Sequence, residues 1–177
     1  IVPVLINLLR DDDAGAVRAY AAQQLDRLAD KRSTQALADS LSDTDERVRM
    51  FAAKGLAKIG NEKHVPALVK AVIDNLPDQN QDDFNSWYSS RPILKTIGQL
   101  SSKAPPEVVA LLKPVSDGKE ISEKWWRFYE AVVLCLGNIG DKSAYDELES
   151  AKESLTKEYQ DYKTWYALRK ALAAINP

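Results

Sequence analysis

His64 is the single histidine and Cys135 the single cysteine among 177 residues, so the side chains that most often ligate metals or attack carbonyls are scarce. His64 with Glu62 supplies at most two ligands, short of the three or four that a zinc or iron site requires. Its place just before Pro66 suits a role at the start of a helix instead. No glycine-rich phosphate loop, no Gly-x-Ser-x-Gly and no Cys–His pair within a helix turn occurs. Asp11, Asp12 and Asp13 gather carboxylates as an acid–base pair or a cation site would. They fall where one helix ends and the next begins, and capping and ion pairing account for them there. Cys135 lies in an apolar helical run and reads as a buried thiol, with no disulfide framework around it. These residues predict no catalytic centre, no metal and no cofactor.

The elements carrying these residues repeat. In Val48-Arg49-Met50-Phe51-Ala52-Ala53-Lys54-Gly55-Leu56-Ala57-Lys58-Ile59-Gly60, the residues Val48, Ala52, Leu56 and Ile59 make one apolar stripe on an α-helix. Ala52, Ala53 and Gly55 leave room for another helix to approach. Ser42 to Asp45 offers N-cap oxygens, and Gly60-Asn61 suits a left-handed C-cap. Val17-Arg18-Ala19-Tyr20-Ala21-Ala22, with Leu25 and Leu28, presents the same pattern 31 residues earlier. Further copies follow at Ile93, Leu94, Ile97 and Leu100, at Val132, Val133, Leu136, Ile139 and Gly140, and at Leu168, Leu172 and Ile175. Between them a second apolar segment recurs: Pro3-Leu5-Leu9, Leu37-Leu41, Pro66-Leu68-Val72, Pro106-Val108-Leu112 and Leu148. Its prolines fall in a first helical turn, where the missing amide costs nothing. Self-similarity at this period means stacked supersecondary units.

The run from Asp43 through Val48-Arg49, Ala52-Ala53, Leu56 and Ile59-Gly60 to Pro66, Leu68, Val72 and Asp74 resembles HEAT repeats, in particular the short phycobilisome-lyase-like subclass. The resemblance spans nearly the whole chain and is most specific from Pro3 to Asp74. It implies a right-handed α-α superhelix, a solenoid of about five helix pairs. The first helix of each pair would lie on the convex side and the second on the concave side. It also implies a ladder joining neighbouring repeats, built from Asp12 with Arg18 and Asp43 with Arg49. Beyond residue 75 no Val-Arg pair returns and Pro114 replaces the repeat-end Asp. Pro92 falls inside the third convex helix, where such repeats often carry a kinking proline. Iron-binding hydroxylases of this class use several His-Glu pairs, which one histidine cannot supply.

Composition is that of an ordinary soluble protein, 45% hydrophobic and 28% charged, with net charge −2. No run approaches the roughly 18 apolar residues a membrane span needs. Residues 1–86 hold 11 Lys and Arg against 14 Asp and Glu, and residues 87–177 hold 13 against 12. Neither half has the overall cationic excess that general nucleic-acid binding demands. The composition favours a cytoplasmic setting without fixing it.

The chain reads as one repeat domain, 1–177, with regular repeats over 1–74, a polar acidic insertion over 75–86 and divergent repeats over 87–177. It starts at Ile1 in a concave-type helix that lacks its convex partner. This predicts a piece of a longer array, a processed mature form, or self-association through that end. Ser122, followed by Glu123, is a candidate N-cap. From Ser143 to Ile175 there is no Gly or Pro and the helical spacing is almost unbroken, as in one long helix; the resemblance to HEAT repeats implies instead a turn near Leu155 to Lys157, capped by Thr156.

Aligning the convex helices on Leu25, Leu56, Ile97, Leu136 and Leu172 puts Gly15, Glu46, Trp87, Trp126 and Tyr162 at one equivalent position. Tyr88, Trp125, Tyr129, Trp165 and Tyr166 crowd the same edge. Such residues either anchor a partner or fill space that the alanine-rich repeats leave small. Asp39, Lys70 and Glu107 mark the polar faces of the concave helices. The prediction is a non-catalytic protein–protein interaction scaffold. The resemblance adds a bilin-lyase-like enzyme or chaperone as the rival, and a HEAT-like DNA glycosylase as a third reading that lacks the basic face it needs.

Overall fold

The computed structural model describes residues 1–76, 86–117, 125–157 and 162–175, with only the backbone described at 86–89, 126, 153, 156–157 and 162–164. The chain divides into two compact units, Ile1–Leu100 and Ser101–Pro177. The described residues are helices and turns without a strand. Much of the predicted insertion, 77–85, and the predicted cap at Ser122 with Glu123 lie outside them.

In the first unit, α1 (Val2–Asp11), α2 (Gly15–Leu28), α3 (Thr34–Asp39), α4 (Glu46–Ile59), α5 (Val65–Asp74) and α6 (Ser86–Leu100) follow one another. Helix α2 packs on α4 and α4 on α6, while α1, α3 and α5 pack on α2, α4 and α6 respectively. This is a two-layer stack in which each helix covers the apolar stripe of the next. The stripe read from the sequence is the core: Leu25, Val48, Ala52, Leu56, Leu68, Ile93 and Ile97 are fully buried. Leu28, assigned to the same stripe, is 48% exposed. It is the last residue of α2, where the helix gives way to a left-handed cap at Ala29 with φ 49°.

Helix α4 starts as expected, with the Asp45 carboxylate accepting from the Arg47 amide at 2.9 Å. Its end differs from expectation. Gly60 is extended rather than left-handed. Glycine is needed there because a Cβ would meet the Leu56 carbonyl oxygen at 2.5 Å. Asn61 opens the next turn, accepting from the Lys63 amide and donating its own amide to His64 Nδ1 at 3.1 Å. His64 is therefore a capping residue, half-buried rather than exposed. Pro92 does lie inside α6. The buried Thr96 hydroxyl is within hydrogen-bond distance of the Pro92 carbonyl, at 2.9 Å, and of the Ala53 carbonyl on α4, at 3.0 Å. It thereby ties the proline-bearing turn, where one backbone hydrogen bond is lost, to the neighbouring helix.

In the second unit, α7 (Pro106–Ala110) and α8 (Lys113–Ser116) precede α9 (Trp126–Ile139), α10 (Tyr145–Lys157) and α11 (Tyr162–Ile175). Helix α9 packs on α11 and on α7, and α10 packs on α8 and on α11. The stretch from Ser143 onward is thus a hairpin, not one long helix. Leu155 to Lys157 is still helical, so the first arm runs further than the predicted turn. Gly140 ends α9 in the left-handed region at φ 71°. Pro106 in the first turn of α7 fits the reading of the prolines.

Candidate interaction surfaces

The Asp and Arg residues assigned to a ladder form one, with different partners. Arg18 donates from Nε and Nη2 to the two carboxylate oxygens of Asp43, each at 2.8 Å, a two-pronged pair across 25 residues. Its Nη1 donates to the backbone carbonyls of Asp12 and Asp13. Arg49 repeats the second arrangement, donating from Nη1 to the Asp43 and Thr44 carbonyls. The pairs six apart, Asp12 with Arg18 and Asp43 with Arg49, are therefore contacts of arginine with backbone. The Asp12 and Asp43 carboxylates cap the following turns, accepting from the Ala14 and Asp45 amides at 2.9 and 2.8 Å. The link between repeats is Arg18 to Asp43. Arg49 is 6% exposed, and its Nε has no acceptor among the described residues. Asp74, 31 residues beyond Asp43, pairs instead with Lys70 on its own helix.

Burial alone would raise the Asp43 carboxyl, but the Arg18 hydrogen bonds, the Asp45 amide and the charge of the guanidinium together hold it below the ordinary carboxylate value. Hydrogen bonds from the Arg32 side chain and amide bring Asp30 down to about 2. Asp45 is lowered chiefly by its hydrogen bond from Arg47. In the second unit, Asp141 is lowered by amides, those of Ser143 and Ala104.

The aromatic residues separate into core and surface. Tyr129 is 3% exposed, so of the two readings of that edge it takes the space-filling one and not that of a partner anchor. It meets Phe128 edge-to-face and Trp125 at a tilt, with ring centroids 5.6 and 6.3 Å away, and burial raises its phenol. Tyr129 stands where α2 and α4 carry Arg18 and Arg49, and Phe128 where they carry Val17 and Val48, so a ring fills the core of α9 at the place of the ladder arginine. Trp125 is half-buried against the same cluster. The side chains of Trp87, Tyr88, Trp126 and Tyr162 lie outside the described residues. Of the aromatics assigned to that edge, the exposed ones among the described side chains are Trp165 at 41% and Tyr166 at 54%, both on α11; Tyr20 on α2 is exposed as well, at 59%. Arg169 sits over the Trp165 ring, 5.2 Å from its centroid. Trp165, Leu168, Arg169 and Leu172 line a hollow of about 420 Å³ with Tyr145 and Glu149 of α10.

Of the polar residues assigned to the concave side, Asp39 accepts from Gln35 and lies 3.7 Å from Arg10. Lys70 holds Asp74, and Glu107 is exposed on α7. The structure does not gather them into one site. On α1, Val2, Leu5 and Leu9 are buried while Ile1 and Val4 are exposed. Among the described residues there is no group of three or more potential metal ligands and no helix long and apolar enough to cross a membrane. Cys135 is buried.

Two layers of short helices, each covering the stripe of the next, define an all-α repeat protein of the solenoid class. More particularly, residues 2–82 match the family model of HEAT repeats. No curated protein matches the sequence. In fold, the chain is similar to a solved structure of the complex of CpcE and CpcF of phycocyanin lyase from Nostoc sp. PCC7120. That match has a TM-score of 0.74 and 22% identity, covering 99% of this chain and 65% of the other. The chain thus spans just under two thirds of the length of that relative. An engineered protein of known crystal structure is similar at a TM-score of 0.65 and 20% identity, over 98% of this chain and 78% of the other.

Proposed function

We propose that the chain is a non-catalytic scaffold that binds a protein partner, with the α10–α11 surface as one anchor. The observation that supports this most is the pair Trp165 and Tyr166, which keep large aromatic area at the surface beside a hollow lined by Leu168, Leu172 and Arg169. Exposed rings beside an arginine are the chemistry of binding hot spots. Stacked helical repeats offer broad surfaces to other proteins. The chain is used for affinity capture beside a Trp165→Ala/Tyr166→Ala variant. A partner retained by the natural sequence and lost by the variant is the expected result; equal retention contradicts this anchor.

A second reading follows from the likeness to a chain of a phycocyanin lyase complex over nearly the whole of this one. On that reading the protein is a lyase-like enzyme or chaperone that handles a bilin. Mixing the protein with a free bilin separates the two. A scaffold leaves the visible absorbance of the bilin unchanged, whereas a shifted and intensified band would favour the lyase-like reading.

A further inference from the structure

Helices α4 and α6 of the first unit border an open groove of about 600 Å³, lined by Lys54, Lys58, Arg91 and Lys95 with Asp26 as its one acidic residue. Lys54 and Lys58 stand one turn apart on α4, and Arg91 and Lys95 one turn apart on α6, so each helix lends a column of two cations. Lys58 is neutralised locally, 2.8 Å from the Asp26 carboxylate. Lys54 lies over the Phe51 ring, 5.3 Å from its centroid. No carboxylate pairs with Lys54, Arg91 or Lys95 among the described residues. Like charges one turn apart weaken the helix that carries them, so two such columns facing one groove add no stability of their own. The floor between them is small and partly apolar, made by Ala57, Pro92 and Thr96.

The surroundings restrict what fits. Residues 1–100 hold 13 Lys and Arg against 14 Asp and Glu, and four of those cations but one of the acids line this groove, so the rest of the unit is acidic. A long polyanion such as duplex nucleic acid would meet repulsion as soon as it left the groove, and its binding relies on an extended run of phosphate contacts. A short segment with its own negative charge confined to the groove meets none.

We propose that this groove docks an acidic helical segment of a protein partner, carboxylates one turn apart pairing with Lys54 and Lys95 and with Arg91. The aliphatic stems of those side chains would rest on the Ala57–Pro92 floor. This deepens the scaffold reading and rests on it, by naming a second surface of that scaffold and the chemistry it selects.

The probe is a fluorescein-labelled alanine-based helical peptide with glutamates four residues apart, compared with its glutamine counterpart by anisotropy. The glutamate peptide is expected to bind about tenfold more tightly, as several exposed ion pairs together would give, and to weaken at about 0.5 M salt. Lys54→Glu/Lys95→Glu should lose that advantage, while Lys31→Glu/Lys63→Glu, on exposed residues away from the groove, should keep it. Equal binding of the two peptides, an unaffected Lys54→Glu/Lys95→Glu variant, or tighter binding of a DNA duplex than of the glutamate peptide would overturn the proposal. The scaffold reading fails separately, when the natural sequence captures no partner at all. A captured partner that binds the groove variant as well as the natural sequence refutes the groove and leaves the scaffold standing.

Discussion

Arg18 on α2 and Gly137 on α9 both bring a helix into register with its successor, by opposite means. In the first unit the join carries a charge pair, since the Arg18 guanidinium reaches forward to both oxygens of Asp43 while Ala19, Ala21 and Ala22 pack below it. In the second unit the join is one of backbone proximity. A Cβ placed on Gly137 would lie 2.5 Å from the Cβ and 2.7 Å from the Cα of Ala171, so α9 and α11 touch where neither has a side chain to spare. In that unit the Asp141 carboxylate accepts from the amides of Ala104 and Ser143, with no arginine paired to it among the described residues. The first join should therefore respond to pH and salt, and the second to side-chain volume.

The largest effects should be alike in the two units, because both joins rest on buried leucines at the same repeat position. Leu56→Ala and Leu136→Ala each remove a fully buried side chain, and each is expected to cost about 2–5 kcal/mol in urea melts. A loss below about 1 kcal/mol at Leu56 would mean that it does not lie between layers. Volume then divides the units. Gly137→Val should cost about 3 kcal/mol, the upper range for overpacking, since backbone cannot yield. Gly15→Ala in the first unit would put its Cβ 2.7 Å from Asp45 Oδ2 and 3.2 Å from Asp45 Cβ, a side chain that can shift where the Ala171 backbone cannot. It should cost less than Gly137→Val, about 1 kcal/mol in the same melts, the lower range for overpacking.

Acid sharpens the contrast at the joins, since the lowered carboxylate of the second unit, Asp141, is held by amides within that unit and not by the α9–α11 contact. Asp30, Asp43 and Asp45 of the first unit are all depressed in the folded chain, so the unfolded chain takes up protons first as pH falls. Their contribution is complete above the unfolded value, near pH 4, and is lost as pH falls through the folded values. The urea midpoint should drop between about pH 4 and pH 2. It should drop less steeply in Asp43→Asn, and identical slopes would contradict the role given to the pair. The smallest effect concerns the two left-handed caps, which occupy the same position of their repeats. Ala29→Gly should stabilise and Gly140→Ala destabilise, each by about 1 kcal/mol, as thermal melts would show.

The stacked core was legible because burial imposes its period locally. Val48, Ala52 and Leu56 announce one buried face whatever lies opposite, and a copy 31 residues away supplies the opposite face. What was not legible depends on reach across the stack. Arg18 and Asp12 are six apart and look like a pair. The arginine side chain is long enough to leave Asp12 with its carbonyl and take the carboxylate of the next repeat. Gly60 looked like the left-handed cap, yet Ala29 adopts that conformation at the equivalent site, so residue type alone placed the wrong one. Tyr129 and Trp165 have similar helical spacing, and only the packing of α9 against α11 decides that one is core and the other surface. The cations of the groove lie on two helices separated by a lengthened interval, and only the packing of α4 on α6 brings them to one space.

The account rests most on the 31-residue period being a period of physical contact between successive repeats. A double-mutant cycle of Arg18→Ala and Asp43→Ala, read from urea melts, tests this at one named contact. Stabilising coupling is predicted at neutral pH, fading as Asp43 is protonated in acid. Additive losses at neutral pH would contradict it.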